Sequence, residues 1–156
     1  MNMHEYAERV EGIREKLYRT AVLCLGSASD AEEALDEAVY RGLKACKRLR
    51  EPAFFDTWMT RILLNVCYDE HRRRRREQSF EELPETSAEA FDALPLKEAI
   101  RRLPRDLQDL VILRYFSGYT VRETAEILEI PQGTAATRER RALSLLRLEL
   151  GEEETR

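Results

Sequence analysis

The stretch from Gly118 to Arg147 limits what this chain can fold into more than any other. Thr120 and Glu123 stand at the spacing of a capping box, in which the hydroxyl accepts from an amide of the first turn and the carboxylate reaches back. The spacing predicts a short helix starting there. Ala125 is small enough to let a second helix cross closely, and Ile127 and Leu128 supply apolar contact. Pro131 cannot continue that helix but suits the first turn of the next. The second helix is basic: Arg138, Arg140, Arg141 and Arg147 are interspersed with Ala135, Ala142, Leu143, Leu145 and Leu146. Two short helices of which the second is basic make a helix-turn-helix, the geometry that lays a recognition helix in a DNA major groove. The same signals also fit a plain helical hairpin whose arginines are merely solvated.

The rest of the chain is also helical in pattern. Tyr6, Val10, Ile13, Leu17, Ala21 and Cys24 recur at spacings of three and four, which predicts a helix from about Glu5 to Leu25, ended by Gly26 and Ser27. Asp30 is the expected cap of a second helix, with Ala34, Leu35, Ala38, Val39, Gly42, Leu43 and Cys46 as its inner stripe. Its outer surface opens with Asp30, Glu32, Glu33, Asp36 and Glu37, carboxylates that the helix dipole favours near an N-terminus. Pro52 breaks the pattern, and Ala53, Phe54 and Phe55 lead into a third helix with Trp58, Met59, Ile62, Leu63 and Val66 inward. Thr57, Arg61, Asn65, Tyr68 and Arg72 then share the opposite face, before a run of arginines from Arg72 to Arg76. Cationic groups that track phosphates, mixed with aromatic rings that stack on bases, suit single-stranded or partly opened nucleic acid. A solvated helix end above core aromatics is the competing account, and periodicity favours the core for Trp58.

Residues 77–96 contain six acidic residues and no basic one, with Pro84 and Pro95 as punctuation, and read as an acidic flexible linker. A short helix from Lys97 to Arg102 comes next, and Leu103 and Pro104 open another that carries Leu107, Leu110 and Val111. The six residues from Gly151 onward read as a frayed acidic tail. The expected fold is therefore all-α: two small helical domains, 1–76 and 97–150, joined by that linker. The net charge of −4 conceals basic flanks around an acidic middle, so binding to DNA is not excluded. Cys24, Cys46 and Cys67 form no Cys-x-x-Cys pair, and His4 and His71 lack ligand spacing, so neither metal nor cofactor is expected. No glycine-rich phosphate loop or positioned nucleophile marks a catalytic site. No apolar run is long enough to cross a bilayer, and the first residues lack a signal peptide's pattern, which points to a cytoplasmic protein without membrane insertion.

Three segments together resemble the bacterial sigma factors of the two-domain extracytoplasmic-function (ECF) group of the sigma-70 family. They are residues 30–39, with Asp30, Glu32, Glu33 and Asp36; residues 55–65, from Phe55 through Trp58 to Asn65, with the arginines behind; and the run from Leu103 through Pro131 to Thr134. The resemblance implies that Glu33, Asp36 and Glu37 dock on the clamp helices of the largest subunit of core RNA polymerase. It implies that Phe54, Arg61, Asn65 and Tyr68 hold bases of the melted minus-ten element, and that Arg72, Arg73, Arg74, Arg75 and Arg76 grip phosphates at its upstream edge. The C-terminal domain would read the minus-thirty-five element while resting on the polymerase flap. Gln132 and Arg140 would meet base edges and Thr134, Arg138 and Arg141 would meet phosphates, because outward positions near the start of such a helix reach the groove. The resemblance further implies an anti-sigma factor as partner.

The sequence departs from the family pattern at three places. Asp36 replaces a usual glutamine, and Glu51 with Pro52 replaces a glycine-containing turn. Glu139 occupies a usually apolar position in line with Ala135, Ala142 and Leu146, a poor place for a charge unless an arginine pairs with it. On that basis, Glu139→Leu is expected to raise the stability of the C-terminal domain. Two other functions remain open on the residues alone: a helix-turn-helix regulator acting without polymerase, and a sigma-like protein that binds polymerase or a regulator without reading promoters.

Overall fold

The computed structural model describes residues 1–78 and 94–150, and all regular structure among them is helical. The chain divides into two compact units, Met1–Thr86 and Ser87–Arg156. Of the expected 77–96 linker, Glu77 and Gln78 extend the third helix and Leu94 to Leu96 belong to the fourth. Residues 79–93 and the tail from Gly151 lie outside the described residues.

In the first unit, α1 (Met3–Leu25), α2 (Ala28–Ala45) and α3 (Phe55–Gln78) pack as a three-helix bundle. Asn2 and Glu5 form a capping box at the start of α1, and Gly26 ends it in the left-handed conformation at φ 79°, where a glycine carries no Cβ penalty. The cap of α2 differs from the expectation. Ser27 is the N-cap, its hydroxyl accepting from the Asp30 amide at 3.2 Å, and Asp30 sits inside the first turn. Both residues are good capping types; the Asp30 carboxylate is engaged instead by Arg74 of α3.

Burial of one stripe per helix drives the bundle together. Leu17, Ala21, Ala38, Phe55, Met59 and Leu63 are essentially sealed from solvent. Trp58 and Ile62, expected inward, are only half-buried, whereas Leu64 and Cys67 are buried instead. The bundle is tightest where α2 crosses Tyr6. The Tyr6 hydroxyl donates to the Val39 carbonyl at 2.6 Å, and a Cβ on Gly42 would lie 2.3 Å from that oxygen, so no side chain fits there. Burial, helped by Cys46, pushes the Tyr6 hydroxyl up to about 12, which keeps it a neutral donor. All three cysteines are free thiols packed in this unit as small apolar groups.

The second unit contains α4 (Leu94–Arg101), α5 (Arg105–Val111), a π-helical turn at Ile112–Phe116, α6 (Val121–Leu128) and α7 (Gln132–Leu150). The capping box at α6 is present in both directions, Glu123 N–H to Thr120 Oγ1 at 3.1 Å and Thr120 N–H to Glu123 Oε1 at 2.9 Å. Pro131 precedes α7, and its carbonyl accepts from the Ala135 amide at 3.0 Å. Leu110, Ala125 and Ala135 form the contact where α5, α6 and α7 meet, and the two alanines allow the close helix crossing read from the sequence. A second cluster, including Ile100, Leu103, Leu107, Ala142 and Leu146, fastens α4 and α5 to the later turns of α7.

Glu139 is not a stranded charge. Arg114 donates from Nη2 at 3.2 Å and from Nε at 3.4 Å to its carboxylate, and the Tyr115 hydroxyl donates to it as well. Arg114 also donates from Nη1 to the Tyr119 carbonyl at 3.0 Å, so one guanidinium ties α7 to the turn that leads into α6. The hydrogen bond to Glu139 raises the Tyr115 hydroxyl above its usual range. The expectation that Glu139→Leu stabilises this unit is therefore reversed. With the side chains of Glu139 and Arg114 only 15% and 25% exposed, removing the carboxylate leaves a largely desolvated guanidinium poorly satisfied. Thermal unfolding of the full chain should show Glu139→Leu destabilised by about 1–2 kcal/mol; an unchanged or higher melting temperature would contradict the network's role.

Candidate nucleic-acid interface

The orientation of α3 is set by its buried stripe. Consecutive helix residues are about 100° apart, so with Met59, Leu63 and Val66 inward, Arg61, Asn65, Tyr68 and Arg72 line up on another face. Asn65 and Arg72 are exposed there, and Arg61 and Tyr68 are half-buried. Phe54 lies just before this face, in the 3₁₀ turn Pro52–Phe54, and 54% of it is exposed. Thr57 donates to the Phe54 carbonyl at 3.2 Å and Arg9 of α1 donates to the Pro52 carbonyl at 3.3 Å, so side chains on both sides hold the turn. Its neighbour Phe55 is buried, packing edge-on to Tyr6 at 6.0 Å and tilted against Trp58 at 5.8 Å. Adjacent phenylalanines thus differ in role: one is core, the other is presented.

The structure separates the members of the arginine run. Arg72 pairs with Asp69. Arg73 pairs with Glu70 at 2.5 Å and Glu77 at 2.7 Å, and it holds the Glu70 carboxyl below the usual range. Arg74 turns into the bundle, donating to the Leu25 carbonyl at 3.1 Å and to Glu70 at 3.3 Å besides pairing with Asp30. Arg75 and Arg76 are exposed.

On α2, Glu33, Asp36 and Glu37 are exposed as expected. Glu37 accepts from Arg41 at 2.9 Å, and Arg41 also reaches Asp69 of α3 at 3.1 Å; these carboxylates raise the Arg41 guanidinium above its ordinary value. Sequence reasoning missed Tyr40, 55% exposed on this helix with the Lys44 ammonium 4.4 Å from its ring centre. The signal was a polar-face aromatic one position beyond the predicted inner Val39.

On α7, Gln132, Arg140 and Arg141 are exposed and Thr134 is half-buried. Arg140 leans on Thr137 at 3.4 Å. Arg138 is half-buried and pairs with Asp106 of α5 at 3.7 Å, so part of its charge is met within the unit. Among the described residues there is no group of His, Cys, Asp and Glu that could hold a metal ion and no helix long and apolar enough to cross a membrane.

A bundle presenting a mixed aromatic and cationic helix face, together with a helix-turn-helix unit, belongs to the class of helical nucleic-acid-binding proteins. Residues 10–77 match the family described as Sigma-70 region 2, and residues 93–146 match Sigma-70, region 4. The chain is 27% identical over 146 residues to the RNA polymerase sigma factor SigV of Bacillus subtilis, covering 90% of this chain and 88% of that one. It is 28% identical over 141 residues to the ECF RNA polymerase sigma factor SigM of Mycobacterium tuberculosis, covering 87% and 72%. Its fold is similar to the sigma factor RpoE from Bartonella quintana, solved with the anti-sigma factor NepR, with a TM-score of 0.81 at 22% identity over 94% and 96% of the two chains. It is also similar to CnrH, solved with the cytosolic domain of CnrY, with a TM-score of 0.77 at 18% identity over 96% and 89%. The chain belongs to the sigma-70 family, as a member of its ECF group. Its function is that of a sigma factor directing promoter-specific transcription initiation.

The two phenylalanines give a direct check on the geometry of the interface. Phe55→Ala should lower the unfolding free energy by about 3–5 kcal/mol, as truncating a sealed aromatic does. Phe54→Ala should change it by less than about 0.5 kcal/mol. Denaturant unfolding of both variants measures this, and a large loss with Phe54→Ala would make that ring core rather than contact.

Proposed function

We propose that the two units divide promoter recognition between them, residues 1–76 acting on the minus-ten element and residues 97–150 on the minus-thirty-five element. The observation that carries this is the face of α3, where an exposed aromatic at Phe54 precedes Arg61, Asn65 and Tyr68 on one side of a rigid helix. An unpaired base can stack on such a ring while Asn65 and Arg61 meet its polar edge, and neighbouring arginines neutralise the backbone. Duplex DNA offers no such exposed base faces, so the arrangement favours an opened strand.

Glu33, Asp36 and Glu37 form the polymerase-docking face in this reading, presenting carboxylates to a basic surface on the clamp of the largest subunit. Gln132 and Arg140 reach base edges in the major groove, with Thr134, Arg138 and Arg141 toward phosphates. The polymerase flap supports the second unit. A relative in fold, RpoE, has been solved with an anti-sigma factor, and we extend that to this chain as a protein restrained by such a partner in the cytoplasm.

The experiment is reconstitution with bacterial core polymerase on fragmented genomic DNA from the protein's own source. Discrete transcripts should appear with the wild-type chain. Asn65→Ala should lower their yield at least about tenfold, the equivalent of losing roughly 1.4 kcal/mol, while leaving polymerase binding intact. Neutralising Glu33, Asp36 and Glu37 together should weaken polymerase binding itself. Polymerase binding without discrete transcripts would favour a sigma-like protein that does not read promoters; duplex binding without polymerase binding would favour a free-standing regulator.

A further inference from the structure

Five consecutive arginines on one helix cannot all face the same partner. At about 100° per residue the run from Arg72 to Arg76 sweeps more than a full turn. Arg72, Arg75 and Arg76 fall within a sector of about 100°, the same sector that holds Arg61, Asn65 and Tyr68 further up α3. Arg74 lies about 200° from Arg72, on the opposite side. The contacts agree with this geometry: the Arg74 side chain is only 18% exposed, and its guanidinium spans the last carbonyl of α1, Asp30 in the first turn of α2, and Glu70 of α3. Arg73 lies to the side, held between Glu70 and Glu77, at a groove that α2 lines with Asp30, Glu33 and Glu37.

Building on the proposed role of α3, we propose that the run is divided: Arg72, Arg75 and Arg76 are its phosphate-gripping members, and Arg74 is a positioning residue that locks α1, α2 and α3 together and touches no DNA. Arg73 belongs with the acidic groove beside α2. A phosphate approaching Arg73 would meet Glu70 and Glu77 as well, and one approaching Arg74 would have to displace Asp30, Glu70 and a helix-end carbonyl. Arg72 shares Asp69 with Arg41 and remains 58% exposed.

Phosphate contacts are read from the dependence of DNA affinity on salt, since each neutralised phosphate contributes close to one to the slope of log K against log salt. The assay uses the full chain assembled with core polymerase and a labelled promoter fragment recovered from the reconstituted transcription reaction. Arg75→Gln and Arg76→Gln should each lower the slope by about one with an unchanged melting temperature. Arg73→Gln and Arg74→Gln should leave the slope unchanged, and Arg74→Gln should lower the melting temperature of the free chain. Asp30→Asn, which alters the clamp without touching the run, should reproduce that lower melting temperature with the slope intact. A slope reduced by Arg74→Gln at unchanged melting temperature, or one unaffected by both Arg75→Gln and Arg76→Gln, would overturn the division. If the wild-type assembly shows no preference for the promoter fragment over unrelated DNA, the role of α3 falls and the division falls with it; a wild-type preference with the wrong pattern of slopes overturns the division alone.

Discussion

The angle at which α3 is seated decides what the first unit can present. Phe55, Met59 and Leu63 are sealed from solvent, and Tyr6 fits closely against Gly42 of α2. Because a helix turns by a fixed increment per residue, fixing that stripe fixes every other direction on it. Asn65 and Tyr68 look outward together because Leu63 and Val66 cannot. The apolar core thus acts as the alignment device for a polar surface, and the energy that holds it is the burial of one stripe per helix.

Charge refines what packing sets. Arg41 links Glu37 on α2 to Asp69 on α3, and Arg74 links the end of α1 to the start of α2. The more exposed pairs of Arg41 contribute little one by one, about 0–1 kcal/mol, and are better understood as fixing orientation, whereas Arg74, only 18% exposed, also fastens the three helices to one another. In the second unit Arg114 does the same for the helix-turn-helix. Its hydrogen bonds to Glu139 and to the Tyr119 carbonyl connect α7 to the turn before α6, where an apolar residue at position 139 would give contact without direction.

The features legible in the sequence were local or periodic. The capping box of Thr120 and Glu123 spans three residues and needs nothing from elsewhere, so it appears as written. The all-helical class and the inner positions of Leu17, Ala38 and Met59 come from spacing, and the division into two units from the acidic, proline-punctuated composition of residues 77–96. The readings that changed each depend on a distant partner. Asp30 looked like a cap until Arg74, 44 positions on, claimed its carboxylate, and Ser27 took the role. Glu139 looked misplaced until Arg114, 25 positions back, met it. Among the arginines, composition declared a single basic block, whereas helix rotation and the positions of Asp30, Glu70 and Glu77 give its members different surroundings. Trp58 is half-buried because three aromatic rings, Tyr6, Phe55 and Trp58, crowd one end of the bundle and only two are sealed.

We propose that one side of α3 meets an opened DNA strand and the other sides do not. Photo-crosslinking tests it most directly, with benzoylphenylalanine placed singly at Tyr68 or at Arg73 in the chain assembled with core polymerase on promoter DNA. Adducts are expected from position 68 to bases of the opened minus-ten segment, with few or none from position 73. Equal adducts from both positions, or adducts from position 68 only to closed duplex, would contradict it.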